Sequence, residues 1–138
     1  MAKRKPKTVP KMVEEAAVIL QRIVRIKAAD HAGYASCVTC GATKHWTELQ
    51  GGHFFSRRHT AHKLREENVH CQCQYCNCFL KGNLIPYTVF MIDMYGRGFV
   101  DELEHTKNDI KKYSRGEILG IIEDLKHYEF SVRTEKGL

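Results

Sequence analysis

Two pairs of cysteines, each separated by two residues, could bind a metal ion. Cys37 and Cys40 form the first pair, and Cys73 and Cys76 form the second. A C-x-x-C turn directs two thiolates at one metal, and two such turns complete a tetrahedral four-sulfur zinc site. We therefore predict a structural zinc site made by these four residues.

Two further cysteines make the choice of ligands a question. Cys71 and Cys78 flank the second pair, but neither has a cysteine partner at the two-residue spacing. We predict that both stay free of the metal, either packed as small apolar side chains or exposed. The alternative, a disulfide framework, is disfavoured because nothing in the sequence is typical of a secreted protein.

One histidine and two asparagines occupy the same region. His53 comes directly after Gly51 and Gly52, and we expect the glycines to form a turn that places His53 on a strand. Asn68 opens the segment that leads back to the second cysteine pair, and Asn77 lies at the start of a short helix. These residues therefore surround the predicted metal.

The elements that must position these residues form one predicted domain. We expect a basic arm over residues 1–9 and a single domain over residues 10–138. Within the domain we predict an N-terminal helix, a zinc-bound core and C-terminal helices, at residues 10–29, 34–83 and 84–131. The sequence shows no internal repeat.

Local signals assign shorter segments. Residues 46–55 are predicted to form a hairpin, and the polar residues 56–67 an exposed loop. A helix over residues 84–95 should end at Gly96, and Ser114 should begin the last helix with a capping box. Four aromatic residues are expected to belong to the core around the zinc rather than to be base-stacking platforms: Trp46, Phe54, Phe55 and Tyr75.

Composition limits the class of partner. With 138 residues, 43% of them hydrophobic, the chain can bury a modest core that a bound metal would help to stabilise. Its net charge of +6 favours an acidic partner, most simply the phosphates of nucleic acid. No apolar run approaches membrane-spanning length, so we expect a soluble, cytoplasmic protein with no membrane partner.

The order of His53, Asn68 and Asn77 around a cysteine knuckle forms a ββα-metal pattern. From Cys37 to Asn83 it resembles the HNH nucleases, also called His-Me finger nucleases. More narrowly, the segments CVTCG, GGHFFSRRH, ENVHCQCQYCN and KGNLIPY resemble the NinG (Rap) recombination proteins of lambdoid and related phages. The resemblance implies an α+β fold, with a ββα-metal core, a structural four-cysteine zinc site and flanking helices at both ends.

The resemblance also implies roles for individual residues. His53 would be the general base that activates water, since its unperturbed pKa lies near neutral pH. Asn68 would orient that base by a hydrogen bond to or around its ring, and Asn77 would offer an amide oxygen to catalytic Mg²⁺ or Mn²⁺. Five basic residues are candidates for phosphate contacts in DNA: Arg57, Arg58, Lys63, Arg65 and Lys81.

Gly52 departs from a common HNH pattern. Many of these nucleases carry an aspartate or histidine just before the base as a second metal ligand. Others have glycine there and hold magnesium through one asparagine and waters, consistent with the strong hydration of this ion. Asn77 would then be the single direct ligand, with His70, Glu66 and Glu67 as candidates for an additional one.

Together these roles imply a metal-dependent, structure-directed DNA endonuclease that cuts branched recombination intermediates, such as Holliday junctions or D-loops. If the chain is phage-encoded, it would act in the cytoplasm of the bacterial host. Symmetric cleavage of a four-way junction needs two active sites, which a homodimer joined through the apolar helices at 84–95 and 114–128 would provide. The alternative is a non-catalytic zinc-ribbon protein that binds nucleic acid as an accessory factor.

Overall fold

The computed structural model describes residues 3–138, which form a mixed α+β fold with two small sheets. The described helices are α1 (Val9–Ala28), α2 (Leu84–Tyr95), α3 (Arg97–Thr106) and α4 (Arg115–Lys136). The described strands are β1 (Tyr34–Ser36), β2 (Thr43–His45), β3 (Gln50–His53) and β4 (Val69–Gln72). Residues 1 and 2 of the expected arm lie outside the described residues, and residues 3–8 have no regular secondary structure. In the described part, no helix is long and apolar enough to cross a membrane.

Both sheets are antiparallel pairs, β1 with β2 and β3 with β4. The prediction of a hairpin over residues 46–55 is wrong. Residues Trp46–Glu48 instead form a 3-10 turn, closed by a hydrogen bond from the N–H of Leu49 to the carbonyl of Trp46. The partner of β3 is β4, which lies on the far side of the loop at 54–67.

Gly51 and Gly52 lie inside β3, not in a turn. A Cβ added at Gly51 would come within 2.6 Å of the Cβ of Gln21 in α1, and one added at Gly52 would overlap the side chain of Gln72. The glycines therefore let β3 lie directly against α1 and beside Gln72. The same overlap leaves no room at position 52 for a metal-binding aspartate or histidine.

The largest apolar core lies between α1 and α4. It includes Ile19 and Ile23 of α1 and Ile118 and Ile122 of α4, all buried. Another face of α1 packs on Val69 of β4, which is fully buried. Burial of such side chains contributes about 1.5 to 3 kcal/mol each. As a result, α1 is a rigid support under the sheet that carries His53.

A second small core joins α2 and α3 to the end of β3. Tyr87 and Met91 of α2 are fully buried with Leu103 of α3, and Phe54 packs against them. The hydroxyl of Tyr87 donates to the carbonyl of Gly52 at 2.7 Å. These contacts fix the backbone directly before His53.

The helix boundaries that depend on local capping agree with those predicted from the sequence. The α2 helix ends at Gly96, whose φ of +86° is left-handed and favours glycine. Ser114 and Glu117 form the expected capping box at the start of α4. The α4 helix nevertheless continues to Lys136, past residue 131, because Gly137 adopts the left-handed conformation that ends it.

The segment 56–67, predicted to be an exposed loop, is less exposed than expected. His62 is buried, and its Nε2 donates to the carbonyl of Leu103 at 2.9 Å. His59 Nδ1 donates to the carbonyl of Lys107 at 2.9 Å. The polar composition of the segment indicated an exposed loop, but its histidines use their ring N–H groups to anchor it to α3 and to the residue that follows α3.

Candidate functional site

The four predicted cysteines come together at one point. The sulfur atoms of Cys37, Cys40, Cys73 and Cys76 all lie within 4.8 Å of one another, and three of the four residues are buried. The first pair follows β1 and the second follows β4, so the cluster ties the two sheets together. Four cysteine sulfurs at this spacing could hold a structural metal such as zinc.

Hydrogen-bond donors around the sulfurs fit thiolate ligands of a metal. The N–H of Cys76 donates to the sulfur of Cys73 at 3.4 Å, and the Asn83 amide donates to the sulfur of Cys76 at 3.5 Å. The Thr39 hydroxyl lies 3.2 Å from the sulfur of Cys37. Burial raises the pKa of Cys37, but the hydroxyl of Thr39 and backbone N–H groups outweigh burial and lower the pKa below its ordinary value.

Cys71 and Cys78 lie outside the four-sulfur cluster, as predicted. Cys71 is buried, and burial raises the pKa of its thiol to about 12. Such a thiol stays protonated and behaves as a small apolar side chain. Cys78 is exposed, and its S–H donates to Gln50 Oε1 at 3.3 Å.

His53 is the last residue of β3, and its ring is held in one orientation. Its Nε2 lies 3.0 Å from the carbonyl oxygen of Lys63. Because a carbonyl only accepts, Nε2 carries the proton and the neutral ring keeps its lone pair on Nδ1. Burial lowers the pKa of His53, the Lys63 carbonyl raises it, and the charges of Arg57 and Lys63 lower it again. The net effect lowers the pKa of His53 below its ordinary value, which favours the neutral ring.

Asn68 acts on the loop after His53 rather than on the ring itself. Its Oδ1 accepts from the N–H of Phe55 at 2.9 Å, and its Nδ2 donates to the carbonyls of Phe55 and His62. These carbonyls belong to the two ends of residues 55–62, and Lys63, whose carbonyl accepts from His53, comes directly after them. The fully buried Asn68 therefore holds the backbone that leads to Lys63, and none of its hydrogen bonds in the described residues reaches the His53 ring.

Asn77 lies in a wide helical turn, Tyr75–Phe79, that follows the second cysteine pair. Such turns are rare and occur frequently at functional sites. The Nδ2 of Asn77 donates to Gln50 Oε1 at 2.7 Å. With Nδ2 as the donor, Oδ1 has no hydrogen-bond partner among the described residues. An oxygen of this kind suits a hard divalent cation.

His53 and Asn77 line one open cleft of about 340 Å³. Arg57 and Lys81 line it too, so its polar rim is basic. Lys81 has a φ of +51°, an uncommon conformation for a residue with a side chain. The cleft therefore combines a neutral imidazole, an amide oxygen and two cations.

The other predicted phosphate contacts are placed differently. Arg58 is exposed but does not line this cleft. The side chain of Lys63 is only 14% exposed and pairs with Glu14 of α1. Arg65 lies over the ring of Phe99, with its Cζ 5.4 Å from the ring centre. Lys63 and Arg65 therefore have protein partners, and their predicted role as free phosphate contacts is not supported by their positions.

His70 is not placed to be the extra metal ligand. Its Nδ1 lies 3.1 Å from the hydroxyl of Tyr87, and its Nε2 lies 2.8 Å from the hydroxyl of Tyr95. It lines a separate cleft with Glu66, whose carboxylate binds Lys27. Both ring nitrogens are therefore engaged with tyrosine hydroxyls, in a cleft other than the one that His53 and Asn77 line.

The position of His70 predicts how stability depends on pH. Burial lowers its pKa to about 4, against 6.5 when exposed. The unfolded chain therefore binds a proton at pH values where the folded protein does not. The stability associated with the neutral ring of His70 is complete above pH 6.5 and is lost as the pH falls toward 4. In urea titrations, the contribution of His70 to the free energy of unfolding should be roughly 3 kcal/mol smaller at pH 4 than at pH 7. His70→Gln should lose less stability over the same range than the parent protein, and an identical loss would contradict the assignment.

Three residues near His53 were not identified from the sequence. Gln50 orients Asn77, and Glu14 pairs with Lys63 and, at 3.7 Å, with Arg57. Asp101 of α3 lines a neighbouring cleft that His53 also borders. In the sequence, only Gln50 could have been noticed, because it directly precedes the paired glycines. Glu14 and Asp101 come from distant helices.

These features define a mixed α+β protein whose four-cysteine cluster could hold a structural metal and adjoins a basic cleft. The chain belongs to the family described as bacteriophage lambda NinG protein, whose model matches residues 1–134. The resemblance to NinG noted in the sequence is thereby confirmed. No solved structure matches the chain.

Several phage proteins, each named Protein ninG, are similar to this chain. That of Escherichia phage lambda is 39% identical over 74 residues, which cover 52% of this chain and 35% of the relative. That of Salmonella phage P22 is 40% identical over 70 residues, which cover 49% of this chain and 34% of the relative. The matched segment thus spans about a third of the length of these relatives.

Proposed function

We propose that this chain is a metal-dependent DNA endonuclease of the HNH, or His-Me finger, class that acts on branched recombination intermediates. In this proposal β3, β4 and the Tyr75–Phe79 turn are the ββα-metal core. The single observation that carries the proposal is the shared cleft of His53 and Asn77, with a lone pair on His53 Nδ1 and an amide oxygen on Asn77. A protein that only binds nucleic acid needs neither group.

The residues of the cleft suit hydrolysis of a phosphodiester. A DNA phosphate would contact Arg57 and Lys81, and a water beside it would give its proton to Nδ1 of His53 as its oxygen attacks phosphorus. The bond from phosphorus to the 3′ oxygen then breaks, and this oxygen takes a proton from a solvent water, which leaves a 3′ hydroxyl and a 5′ phosphate. The Lys63 carbonyl holds the ring at Nε2 and stabilises the imidazolium that forms.

Asn77 is the residue that would hold the divalent ion. When bound, Mg²⁺ or Mn²⁺ supplies positive charge to the phosphate and the leaving oxygen. Gln50 keeps the amide of Asn77 oriented, and Gly52 offers no second ligand. Coordination by one protein oxygen and by waters agrees with the tendency of Mg²⁺ to keep much of its hydration shell.

The experiment that tests the proposal is nicking of a radiolabelled four-way junction by the purified zinc-loaded protein. We expect nicks when Mg²⁺ is added and none when it is omitted, because the base alone does not neutralise the developing charge. Omission is preferable to a chelator, which would also remove zinc. Binding of the junction without nicking at any Mg²⁺ or Mn²⁺ concentration would favour the non-catalytic zinc-ribbon alternative.

The basic rim predicts a change in salt dependence. Replacing Arg57 and Lys81 together with alanine should weaken DNA binding and reduce the slope of log affinity against log salt by about one per lost phosphate contact. Fluorescence anisotropy at several salt concentrations measures this slope. Lys126→Ala, on an exposed position of α4, is the control and should leave it unchanged. If the double variant keeps the parental slope, the rim does not contact the phosphates.

A further inference from the structure

The positive charge of the chain is concentrated in three segments. Residues 3–11, 56–65 and 107–115 contain 13 of the 22 lysines and arginines but only one of the 16 acidic residues, Asp109. The rest of the chain has 9 basic and 15 acidic residues and is therefore acidic. Because the excess charge is local, the place where these three segments meet decides which surface attracts an anion.

The three segments meet at one groove of about 550 Å³. We call it the lysine groove, and it is lined by residues of all three segments, among them Lys11, Thr60, Lys63, Lys111, Lys112 and Tyr113. The N–H of Lys111 donates to the hydroxyl of Thr60 at 2.9 Å, and His59 donates to the carbonyl of Lys107. These bonds tie the connection between α3 and α4 to the segment after His53, so the fold itself builds the groove.

Three lysines of the lysine groove are exposed: Lys11, Lys111 and Lys112. Within residues 3–138, neither Lys11 nor Lys112 forms an ion pair with a carboxylate. The ion pair of Lys111 with Glu117 is long, at 3.8 Å. All three ammonium groups are therefore accessible to a phosphate, whereas Lys63 is largely buried against its partner Glu14.

Glu14 of α1 is the acidic residue that lines the lysine groove. It pairs with Lys63 and, at 3.7 Å, with Arg57, and the hydrogen bond from Lys63 holds the pKa of Glu14 below its ordinary value. Two cations thus offset its charge. Arg57 also lines the cleft of His53 and Asn77, so the lysine groove and the cleft adjoin each other at this arginine.

The lining between the lysines is apolar, and it includes Val9, Val13 and the ring of Tyr113. The backbone of DNA matches both parts of such a surface, because its phosphates pair with ammonium groups and its sugars present C–H groups to apolar side chains. An acidic peptide with apolar side chains would match the same surface. The shared Arg57 favours DNA, since the neighbouring cleft is the place proposed for a phosphodiester.

We propose that the lysine groove binds the backbone of the DNA arm that leaves the cleft on the side of Arg57. This inference rests on the proposed function, because it takes the cleft to be the place where a phosphodiester is cut. It assigns to Lys11, Lys111 and Lys112 a role in holding DNA that is separate from the chemistry. DNA that reaches beyond the cleft into the groove therefore binds more tightly than DNA that occupies the cleft alone.

The test is binding of a four-way junction by the full chain, measured by fluorescence anisotropy without added Mg²⁺ at several salt concentrations. In the groove variant, glutamine replaces Lys11, Lys111 and Lys112. The slope of log affinity against log salt should become shallower by about two to three, because roughly three phosphate contacts are lost. The affinity at about 0.1 M salt should fall roughly a hundredfold.

A matched control separates the groove from net charge. Lys44, Arg97 and Lys126 are exposed, do not line the lysine groove and form no ion pair within residues 3–138. Their replacement with glutamine removes the same charge and should leave the slope near the parental value. Zinc content and circular dichroism, both expected to match the parent, establish that the groove and control variants are folded.

A single charge reversal tests the proposal with less change to the protein. Lys112 is exposed and lies outside the helices and strands, so Lys112→Glu should fold like the parent protein. It should weaken binding of the junction by roughly tenfold, since one contact is lost and one repulsion is added.

Two results would overturn the proposal. The groove variant and Lys112→Glu could bind the junction with the parental affinity and slope, which would leave an acidic peptide as the better occupant. Alternatively, the control variant could lose as much affinity as the groove variant, which would make the effect one of net charge. Because the readout is binding without Mg²⁺, a failure of the nicking assay would refute the proposed function and leave this result interpretable by itself.

Discussion

Replacing Cys73 with serine is expected to release bound zinc and to unfold most of the protein. Its sulfur lies 3.7 Å from that of Cys40 and accepts a hydrogen bond from Cys76, so it joins the two cysteine pairs. Zinc binding in small four-ligand sites is worth about 10–16 kcal/mol, and a typical domain is stable by only about 5–15 kcal/mol. Zinc content measured by mass spectrometry and a thermal melt followed by circular dichroism report the two losses.

The two remaining cysteines are matched controls for this variant. Cys71→Ser and Cys78→Ser should each retain one zinc per chain, because neither sulfur belongs to the four-sulfur cluster. Cys71 is buried and Cys78 is exposed, so together they separate loss of metal from loss of packing. Equal loss of zinc in all three variants would contradict the assignment of the ligands.

Replacing His53 with alanine is expected to slow cleavage of branched DNA by about 10²–10⁴-fold while zinc content and DNA affinity stay near the parental values. The loss follows from removal of the lone pair on Nδ1, since the carbonyl of Lys63 cannot accept a proton in its place. Single-turnover cleavage with enzyme in excess measures the chemical step apart from binding. A His53→Ala protein that cuts as fast as the parent would show that the base lies elsewhere.

Asn77→Ala should also be slow, but it should depend on metal in a different way. Because it loses an oxygen ligand rather than a base, higher Mg²⁺ or the use of Mn²⁺ should restore part of its rate. The same conditions should not restore His53→Ala. An identical metal dependence for both variants would contradict the separate roles of these residues.

Features set by neighbouring residues could be predicted from the sequence. The spacing of the two C-x-x-C pairs identified all four members of the sulfur cluster and left Cys71 and Cys78 outside it. The stop of α2 at Gly96 and the capping box at Ser114 were also correct. Each cysteine pair, the stop and the cap depend on residues within a few positions. The meeting of the two pairs, with Cys40 and Cys73 33 residues apart, follows instead from the four ligands that zinc requires.

Features set by distant residues could not be predicted in the same way. Gly51 and Gly52 indicate a turn, because tight turns are the commonest use of paired glycines. Their actual role is to let β3 approach Gln21 and Gln72, which lie far from them in sequence. The pairing of β3 with β4 has the same origin, since no local signal shows which strand a strand will meet.

The basic residues that follow His53 show that distant contacts limit prediction of the candidate site as well. Lys63 resembles a phosphate contact in sequence, yet Glu14 from α1 occupies its ammonium group and its carbonyl holds His53. The composition of the segment cannot show that Glu14, in a helix and 49 residues earlier, supplies a carboxylate. Arg57 and Lys81 remain candidates because they line the cleft itself.

Chemical rescue of His53→Ala by imidazole tests the central claim most directly. The account predicts that added imidazole restores a substantial part of the single-turnover rate of junction cleavage in the presence of Mg²⁺, because it supplies the lost lone pair to the vacated space. Imidazole should not restore Asn77→Ala, which keeps its base. Cleavage by His53→Ala at the parental rate without imidazole, or an equal effect of imidazole on both variants, would contradict the role of His53 as the base.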